Sequence, residues 1–242
     1  MKICVAQTRP VKGNISANLD HHKKLIELAL EDEVDIIIFP ELSLTGYEPD
    51  LVKELATDKD DSRFDELQLI SNETNITIGA GMPLKSDRGI MIGMIIFQPD
   101  KPREIYTKQY LHSDEFPFFV NGQPQTILKD HHDKVAMAIC YELSIPEHSE
   151  TAFEKGAEIY ITSVAKTVTG VEKAFETLSA IAKKYSMMVF MSNCIGHCDN
   201  FDSAGRSAAW NNKGELLGEL DDTHEGIIVV DTETEKVIQK II

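Results

Sequence analysis

Apolar runs alternate along the chain with segments in which apolar residues recur every three or four positions. KICVAQ (2–7) and VDIIIFPE (34–41) are short apolar runs typical of buried strands, and Pro40 ends regular structure in the second. Residues 14–33 between them have helical spacing. The apolar positions of that predicted helix are Ile15, Leu19, Leu25, Ile26, Ala29 and Leu30. The first 41 residues therefore predict a strand, a helix and a second strand.

The same order continues and then repeats in the second half of the chain. Further helices are predicted at 62–74, 145–156 and 171–186. Further strands are predicted at 75–81, where glycines end the run, and at 90–98, 103–108, 134–140, 157–165, 187–193, 206–211 and 226–232. No Pro/Gly/Ser-rich segment separates the halves. The pattern predicts one α/β domain, 1–242, of two similar halves in which helices cover mixed sheets.

Composition and charge narrow the class of protein. The chain of 242 residues is 42% hydrophobic and 26% charged, and its net charge is −16. This charge argues against nucleic acid as a partner, because a phosphate-binding surface needs clustered Lys and Arg. It also argues against binding to an anionic membrane surface.

Targeting and disulfide patterns are both missing from the sequence. The N-terminus MKICVAQTRP has too short an apolar run for a signal peptide, and no stretch approaches the length of a membrane helix. Four cysteines in a chain of this length do not make a disulfide framework. We therefore expect a reduced, cytoplasmic protein.

Three reactive residues stand where apolar strands end: Glu41, Lys108 and Cys140. Ligands of α/β proteins bind at the carboxyl ends of strands, so these residues are candidates for a site. A carboxylate can take the proton of a thiol, the thiolate can attack a carbonyl, and an ammonium can stabilise the oxyanion that forms. Taken singly, each has a structural alternative: a helix N-terminal acid, a solvated edge lysine and a core cysteine.

Three motifs around these residues resemble the signatures of the nitrilase superfamily of carbon–nitrogen hydrolases. They are FPELSLTGY (39–47), YTKQYL (106–111) and CYELSIPE (140–147), and they occur in the order typical of that family. The resemblance covers nearly the whole chain. It implies a four-layer α-β-β-α sandwich of two mixed β-sheets.

The resemblance also implies catalytic roles and partners. Glu41 would be the general base, Lys108 the stabiliser of the intermediate and Cys140 the nucleophile, with the backbone N–H of Tyr141 assisting Lys108. Glu115 would be a second acid that orients Lys108. The implied substrate is a small non-peptide amide, carbamoyl compound or nitrile, with acyl transfer as an alternative to hydrolysis. No metal or organic cofactor is required, and the family implies a homodimer or a higher homo-oligomer.

Other residues near the motifs are candidates for the substrate pocket. Tyr141, Glu142 and Phe116 are candidates for its mouth, and Cys194 for its lining. Some positions depart from the family pattern: Ser144 stands where many members carry an arginine, and Ile181, Lys184 and Tyr185 replace a familiar Arg and Glu–Asn pair. The substrate preference of better-known amidases is therefore not carried over to this chain.

Two alternative functions come from other classes. A non-catalytic ligand- or protein-binding member of the same scaffold is one, although the presence of all three triad residue types speaks against it. A redox or metal-binding protein is the other, suggested by Cys194, His197 and Cys198 in NCIGHCDN. The C-x3-C spacing and the absence of a second ligand pair argue against it, so we predict no metal and a turn at this segment. The pairs His21–His22 and His131–His132 are predicted to be solvated.

Overall fold

The structure is a computed structural model, and it describes residues 1–130 and 133–242. The predicted polar turn at His131–His132 lies outside the described residues. The helices are α1 (Ile15–Leu30), α2 (Val52–Leu55), α3 (Asp65–Thr74), α4 (Pro146–Glu154) and α5 (Val168–Tyr185). The first strands are β1 (Lys2–Gln7), β2 (Ile36–Ile38), β3 (Thr77–Ser86), β4 (Gly89–Phe97), β5 (Glu104–Thr107), β6 (Ile127–Asp130), β7 (Asp133–Ile139) and β8 (Ile159–Val164). The later strands are β9 (Met188–Asn193), β10 (Ile195–Cys198), β11 (Phe201–Ala204), β12 (Ala208–Trp210), β13 (Leu216–Glu219), β14 (Gly226–Asp231) and β15 (Val237–Ile241).

The strands form two large mixed sheets and a small hairpin. The seven-stranded sheet has the order β15-β14-β1-β2-β3-β4-β5, and the six-stranded sheet has the order β13-β12-β9-β8-β7-β6. In each large sheet three consecutive strands are parallel, β1-β2-β3 and β7-β8-β9, and antiparallel strands extend both edges. The two halves therefore repeat one topology, as the sequence pattern predicts.

The two sheets pack face to face, and helices cover their outer faces. Successive residues of a strand point to opposite faces, and β1 shows this directly. Ile3 and Val5 lie in a core that also contains Met137 and Ile161 of the six-stranded sheet. Cys4 and Ala6 lie in a second core that contains residues of α1 and α3. A third core joins the outer face of the six-stranded sheet to α4 and α5. The predicted four-layer α-β-β-α sandwich is confirmed.

The ends of the helices have clear local causes. Asn14 accepts a hydrogen bond from the backbone N–H of Ala17 and so caps the N-terminus of α1. Pro146 occupies the first turn of α4, where a missing N–H costs nothing. The helix predicted at 171–186 is present as α5, but it begins earlier, at Val168. The Thr167 side chain caps this start by accepting a hydrogen bond from Gly170 N–H.

Three strands and one hairpin were not predicted from the pattern. The edge strands β6, β13 and β15 are short or partly polar, and each pairs antiparallel with the strand next to it in sequence. The turn predicted at 194–198 is wrong in detail, because Ile195–Cys198 pairs antiparallel with Phe201–Ala204 as β10 and β11.

The strand predicted to end at the glycines of 79–81 instead continues to Ser86. Its pairing with β4 runs without interruption from Ile78 to Ser86. Gly81 has a packing role: a Cβ atom there would lie 2.4 Å from the backbone nitrogen of Leu42 and 2.5 Å from the carbonyl oxygen of Pro40. Close approach of β3 to the segment around Glu41 therefore requires glycine.

No helix in the described part of the chain is long and apolar enough to cross a membrane.

We expect Gly81→Ala to lower the free energy of unfolding by about 1–3 kcal/mol, because the added methyl group must displace backbone atoms beside Glu41. Urea unfolding followed by far-UV circular dichroism measures this change. A loss below about 0.5 kcal/mol, the range of an ordinary surface substitution, would contradict the close approach described here.

Candidate active site

The three strand-end residues of the sequence motifs converge where the two sheets meet. Glu41 lies three residues after the end of β2, and Lys108 follows β5 directly; both strands belong to the seven-stranded sheet. Cys140 follows β7 directly in the six-stranded sheet. A hydrogen bond of 2.8 Å from Ser163 Oγ to the carbonyl oxygen of Phe39 joins the sheets close to Glu41.

Lys108 is the centre of a buried charge cluster. Its Nζ atom lies 2.8 Å from Glu41 Oε1 and 2.6 Å from Glu115 Oε1. The Lys108 and Glu41 side chains are 0% exposed, and the Glu115 side chain is 3% exposed. Burying charges is costly unless they are paired, so this geometry binds the three side chains to one another.

Burial and charge shift the pKa values of this cluster in ways that suit acid–base chemistry. Burial raises the pKa of Glu41, and Lys108 partly opposes that increase. Burial would lower the pKa of Lys108, but the neighbouring Glu41, Cys140 and Glu115 raise it overall, so the ammonium stays charged. The site therefore holds a permanent cation beside a carboxylate that can exchange a proton.

Glu115 is held in place from both of its oxygens. Besides Lys108, Oε1 accepts a hydrogen bond of 3.2 Å from the Tyr47 hydroxyl. Oε2 accepts a hydrogen bond of 2.7 Å from the backbone N–H of His112. This rigid placement supports the predicted role of Glu115 in orienting Lys108.

Cys140 occupies a strained turn at the end of β7. Its φ is 46°, in the left-handed region that a residue with a side chain rarely adopts, and it begins the single 3₁₀ turn Cys140–Ser144. Such strain concentrates at functional sites. Leu42, next to Glu41, has a φ of 52° and shows the same feature.

The Cys140 thiol is protonated in the resting site. Burial raises its pKa to about 11, and the charge on Glu41 adds to the increase, whereas Lys166 and Lys108 oppose it. A protonated thiol needs a base before it can act as a nucleophile. Glu41 Oε2 is buried and accepts no hydrogen bond from the described residues, and the thiol is close enough to lower the pKa of Glu41. Glu41 is therefore placed to receive the thiol proton.

The structure places the candidate pocket residues in different environments. Tyr141 is half-buried and its ring contacts that of His112 edge to face at 5.1 Å, beside the nucleophile. Cys194 is buried in a small cluster with Ala165 and Tyr47 near the site. Phe116 is 58% exposed in the loop after Glu115, and the structure does not bring it to the charge cluster.

Glu142 does not reach the pocket mouth for which the sequence made it a candidate. Its side chain is fully buried, and its carboxylate accepts hydrogen bonds from protein groups behind Lys108 and Cys140. The geometry therefore favours a supporting position for this residue over contact with substrate.

Two residues at the site were not singled out from the sequence. Tyr47 donates a hydrogen bond to Glu115, and its place at the end of the motif FPELSLTGY is the signal that could have found it. Lys166 follows Ala165, whose carbonyl oxygen lies 4.0 Å from Cys140 Sγ, and it lowers the thiol pKa. Only the parallel pairing of β7 with β8 shows that it is close.

A cavity next to Tyr47 offers room for a small molecule. Its volume is about 320 Å³. Its walls include the aromatic side chains Tyr47, Phe118 and Phe201 and the acids Asp50, Asp114 and Asp199. Because Tyr47 both lines this cavity and bonds Glu115, the cavity adjoins the charge cluster.

The cysteines and histidine of residues 194–198 do not form a metal centre. Cys194 Sγ lies 3.7 Å from Cys198 Sγ, but His197 is exposed and contacts Asp202 at 3.1 Å. Across residues 1–130 and 133–242, no group of three His, Cys, Asp or Glu side chains is arranged to hold a metal ion.

Comparison with known proteins assigns the family. The family model described as carbon-nitrogen hydrolase matches residues 2–241. The chain therefore belongs to the carbon–nitrogen hydrolase family, within the nitrilase superfamily that the three motifs resemble. As an enzyme it is a hydrolase of carbon–nitrogen bonds other than peptide bonds.

Similar proteins include hydrolases of known and unknown substrate. A protein called "Hydrolase in agr operon" from Staphylococcus aureus is 26% identical over 247 residues, which cover 99% of this chain and 94% of that protein. The 2-oxoglutaramate amidase of Bacillus subtilis is 26% identical over 85% of this chain and 82% of its own. A solved structure of an amidase variant from Nesterenkonia sp. AN1 superposes with a TM-score of 0.85 at 23% identity, covering 96% of this chain and 90% of that one. It carries the acetamide moiety of fluoroacetamide on its active-site cysteine.

We expect Lys108→Met to lower the free energy of unfolding by about 3–5 kcal/mol at pH 8, because it leaves two buried carboxylates without their cation. The loss should be smaller at pH 5. Without Lys108 the folded-state pKa of Glu41 rises further above the ordinary value of 4.5, so stability falls as pH rises from there.

Urea unfolding of wild type and variant at both pH values measures this difference. Lys23→Met is the matched control, since Lys23 also pairs with two carboxylates, Asp20 and Glu66, but at the surface. It should cost less than about 1 kcal/mol. An equal loss for Lys108→Met at pH 5 and pH 8 would show that lost packing, not unpaired charge, is responsible.

Proposed function

We propose that this protein hydrolyses a small non-peptide amide through a thioester on Cys140, with Glu41 as general base and Lys108 as oxyanion stabiliser. The observation that carries the proposal is the buried ion-paired cluster of Lys108, Glu41 and Glu115 beside a protonated thiol at a strand exit. A thiol, a base and a fixed cation are the parts that acyl transfer needs.

The first half-reaction forms the thioester and releases the amine. Glu41 takes the proton of Cys140 Sγ, and the sulfur attacks the carbonyl carbon of the amide. Lys108 and the backbone N–H of Tyr141 stabilise the oxyanion of the tetrahedral adduct. The protonated Glu41 then gives the proton to the departing nitrogen, the carbon–nitrogen bond breaks, and ammonia or an amine leaves.

The second half-reaction restores the enzyme. Glu41 takes a proton from a water molecule, and the resulting hydroxide attacks the thioester carbon. The carbon–sulfur bond breaks, the carboxylic acid leaves, and the proton on Glu41 returns to the sulfur. Glu115 keeps Lys108 in one position throughout, because Tyr47 and the His112 N–H hold its carboxylate.

The type of substrate is supported by the relatives and by the cavity. Amidases occur among the proteins that this chain resembles, and one of them has a covalently modified active-site cysteine. The volume of about 320 Å³ beside Tyr47 fits a small molecule and not a folded protein. A homodimer or higher homo-oligomer and a cytoplasmic location stay predictions.

A panel of small aliphatic amides, dicarboxylate monoamides, ureas and N-carbamoyl compounds, read out by ammonia release, tests the proposal. We expect at least one to be hydrolysed by the wild type and none by Cys140→Ala, because only the thiol can form the acyl intermediate. Thermal unfolding should show that the variant keeps the fold.

Intact-mass spectrometry provides the second measurement. Quenched wild-type reactions should contain protein heavier by the acyl group of the substrate, located on Cys140 by peptide mapping. Cys140→Ala should contain no such adduct. Turnover by Cys140→Ala at the wild-type rate would rule out the thioester route.

A further inference from the structure

Lys108 and Cys140 are brought together from two different sheets. β5, which precedes Lys108, is an edge strand of the seven-stranded sheet, and β7, which precedes Cys140, lies in the six-stranded sheet. No ladder of backbone hydrogen bonds therefore joins the two strand ends. Their separation must be set by side chains that cross between the sheets.

One carboxylate makes such a connection. Glu142 Oε1 accepts a hydrogen bond of 2.5 Å from the backbone N–H of Gln109, the residue after Lys108. Glu142 Oε2 accepts a hydrogen bond of 2.7 Å from the backbone N–H of Ile139, the residue before Cys140. The Tyr106 hydroxyl donates to Oε2 at 2.6 Å and so adds a second contact from β5. The two oxygens of Glu142 thus hold the backbones of both catalytic residues.

Among the described residues, no charged cation pairs with Glu142. The side chain is fully buried, and burial raises its pKa to about 7 in spite of the hydrogen bonds from Tyr106, Ile139 and Gln109. His148 Nε2 is 3.6 Å away, but burial lowers the pKa of His148 to about 4, so at neutral pH it is uncharged. Tyr110, Tyr160 and the more distant Lys108 are the other titratable groups around it.

Above pH 4.5, the ordinary pKa of a glutamate carboxyl, the burial of Glu142 lowers the stability of the fold. A carboxyl whose folded-state pKa is raised stabilises the fold relative to the unfolded chain less and less as pH rises from 4.5 toward 7. A buried acid that lowers stability, in contact with the neighbours of two catalytic residues, indicates a functional role.

We propose that Glu142 is a positioning residue that sets the distance between the Lys108 ammonium and the Cys140 sulfur by bonding the adjacent backbone N–H groups. It contacts no substrate. The inference rests on the proposed function for the reaction that this alignment serves. The alignment itself is a property of the free protein and has its own readout.

Glu142→Gln is the variant that tests the proposal. Glutamine keeps the shape, but its NH₂ group meets an N–H donor where a carboxylate oxygen had accepted, so one of the two connections is lost. We expect kcat to fall about 10- to 100-fold, as small misplacements of catalytic groups do, with KM changed less than about threefold. Alkylation of Cys140 by iodoacetamide at pH 8 should slow about tenfold, because Lys108 no longer supports the thiolate.

Ser192→Ala is the matched control. Ser192 Oγ donates a hydrogen bond of 2.6 Å to the carbonyl oxygen of Ala6, so it also joins the two sheets, but between β9 and β1. It should leave kcat and the alkylation rate within about twofold of wild type. Thermal unfolding of both variants shows whether a loss of activity comes from misalignment or from a less stable fold. The Glu142→Gln midpoint at pH 8 should stay close to the wild-type value or exceed it.

Each outcome decides the proposal. Wild-type kcat and alkylation rate in Glu142→Gln would overturn it, as would equal effects in Ser192→Ala. If Glu142→Gln does not fold, Glu142→Asp replaces it, since the shorter carboxylate reaches only one of the two strand ends. Loss of the fold in both variants would also overturn the proposal, because Glu142 would then be needed for folding.

The alkylation rate separates this proposal from the proposed function. If the wild type hydrolyses no compound of the panel, the amidase proposal fails, but slower alkylation in Glu142→Gln still supports the positioning role. If the wild type hydrolyses an amide and Glu142→Gln matches it in both measurements, only the positioning role fails.

Discussion

The buried Lys108 ammonium is the interaction on which the site depends. It is bonded at once to Glu41 and Glu115, whose Oε1 atoms both lie within 3 Å of Lys108 Nζ. Away from water, an unpaired ammonium or carboxylate would be strongly destabilising. The three groups are therefore held together more firmly than an exposed ion pair would be. In the proposed mechanism the same cation stabilises the oxyanion of the tetrahedral adduct.

The sandwich explains why this cluster lies where it does. The parallel strands of both sheets end on the same side of the sandwich. Gly81 lets β3 approach the backbone beside Glu41. Ser163 and Glu142 cross between the sheets at the same edge. Cys140, the proposed nucleophile, lies on the sharp turn after β7 with a strained backbone and packs against the core between the sheets.

Family membership and local geometry support each other but answer different questions. The match over residues 2–241 assigns the chain to the carbon–nitrogen hydrolases. The distances within the cluster indicate which atoms are placed to transfer a proton and which are placed to stabilise a negative charge. The walls of the cavity beside Tyr47 include three aromatic and three acidic side chains.

The sequence by itself determined the order of strands and helices, the layered architecture and the three strand-end residues, because local periodicity and short motifs carry that information. It did not determine the extent of β3, the edge strands, the function of Glu142 or the contacts of Tyr47 and Lys166. The edge strands and the extension of β3 depend on pairing with a neighbouring strand, which short or partly polar runs do not reveal. The contacts of Glu142, Tyr47 and Lys166 depend on partners far away in the sequence: Gln109 for Glu142, Glu115 for Tyr47 and Cys140 for Lys166. Only the tertiary structure brings such partners together, because burial and hydrogen bonding between distant segments leave no periodic pattern in the chain.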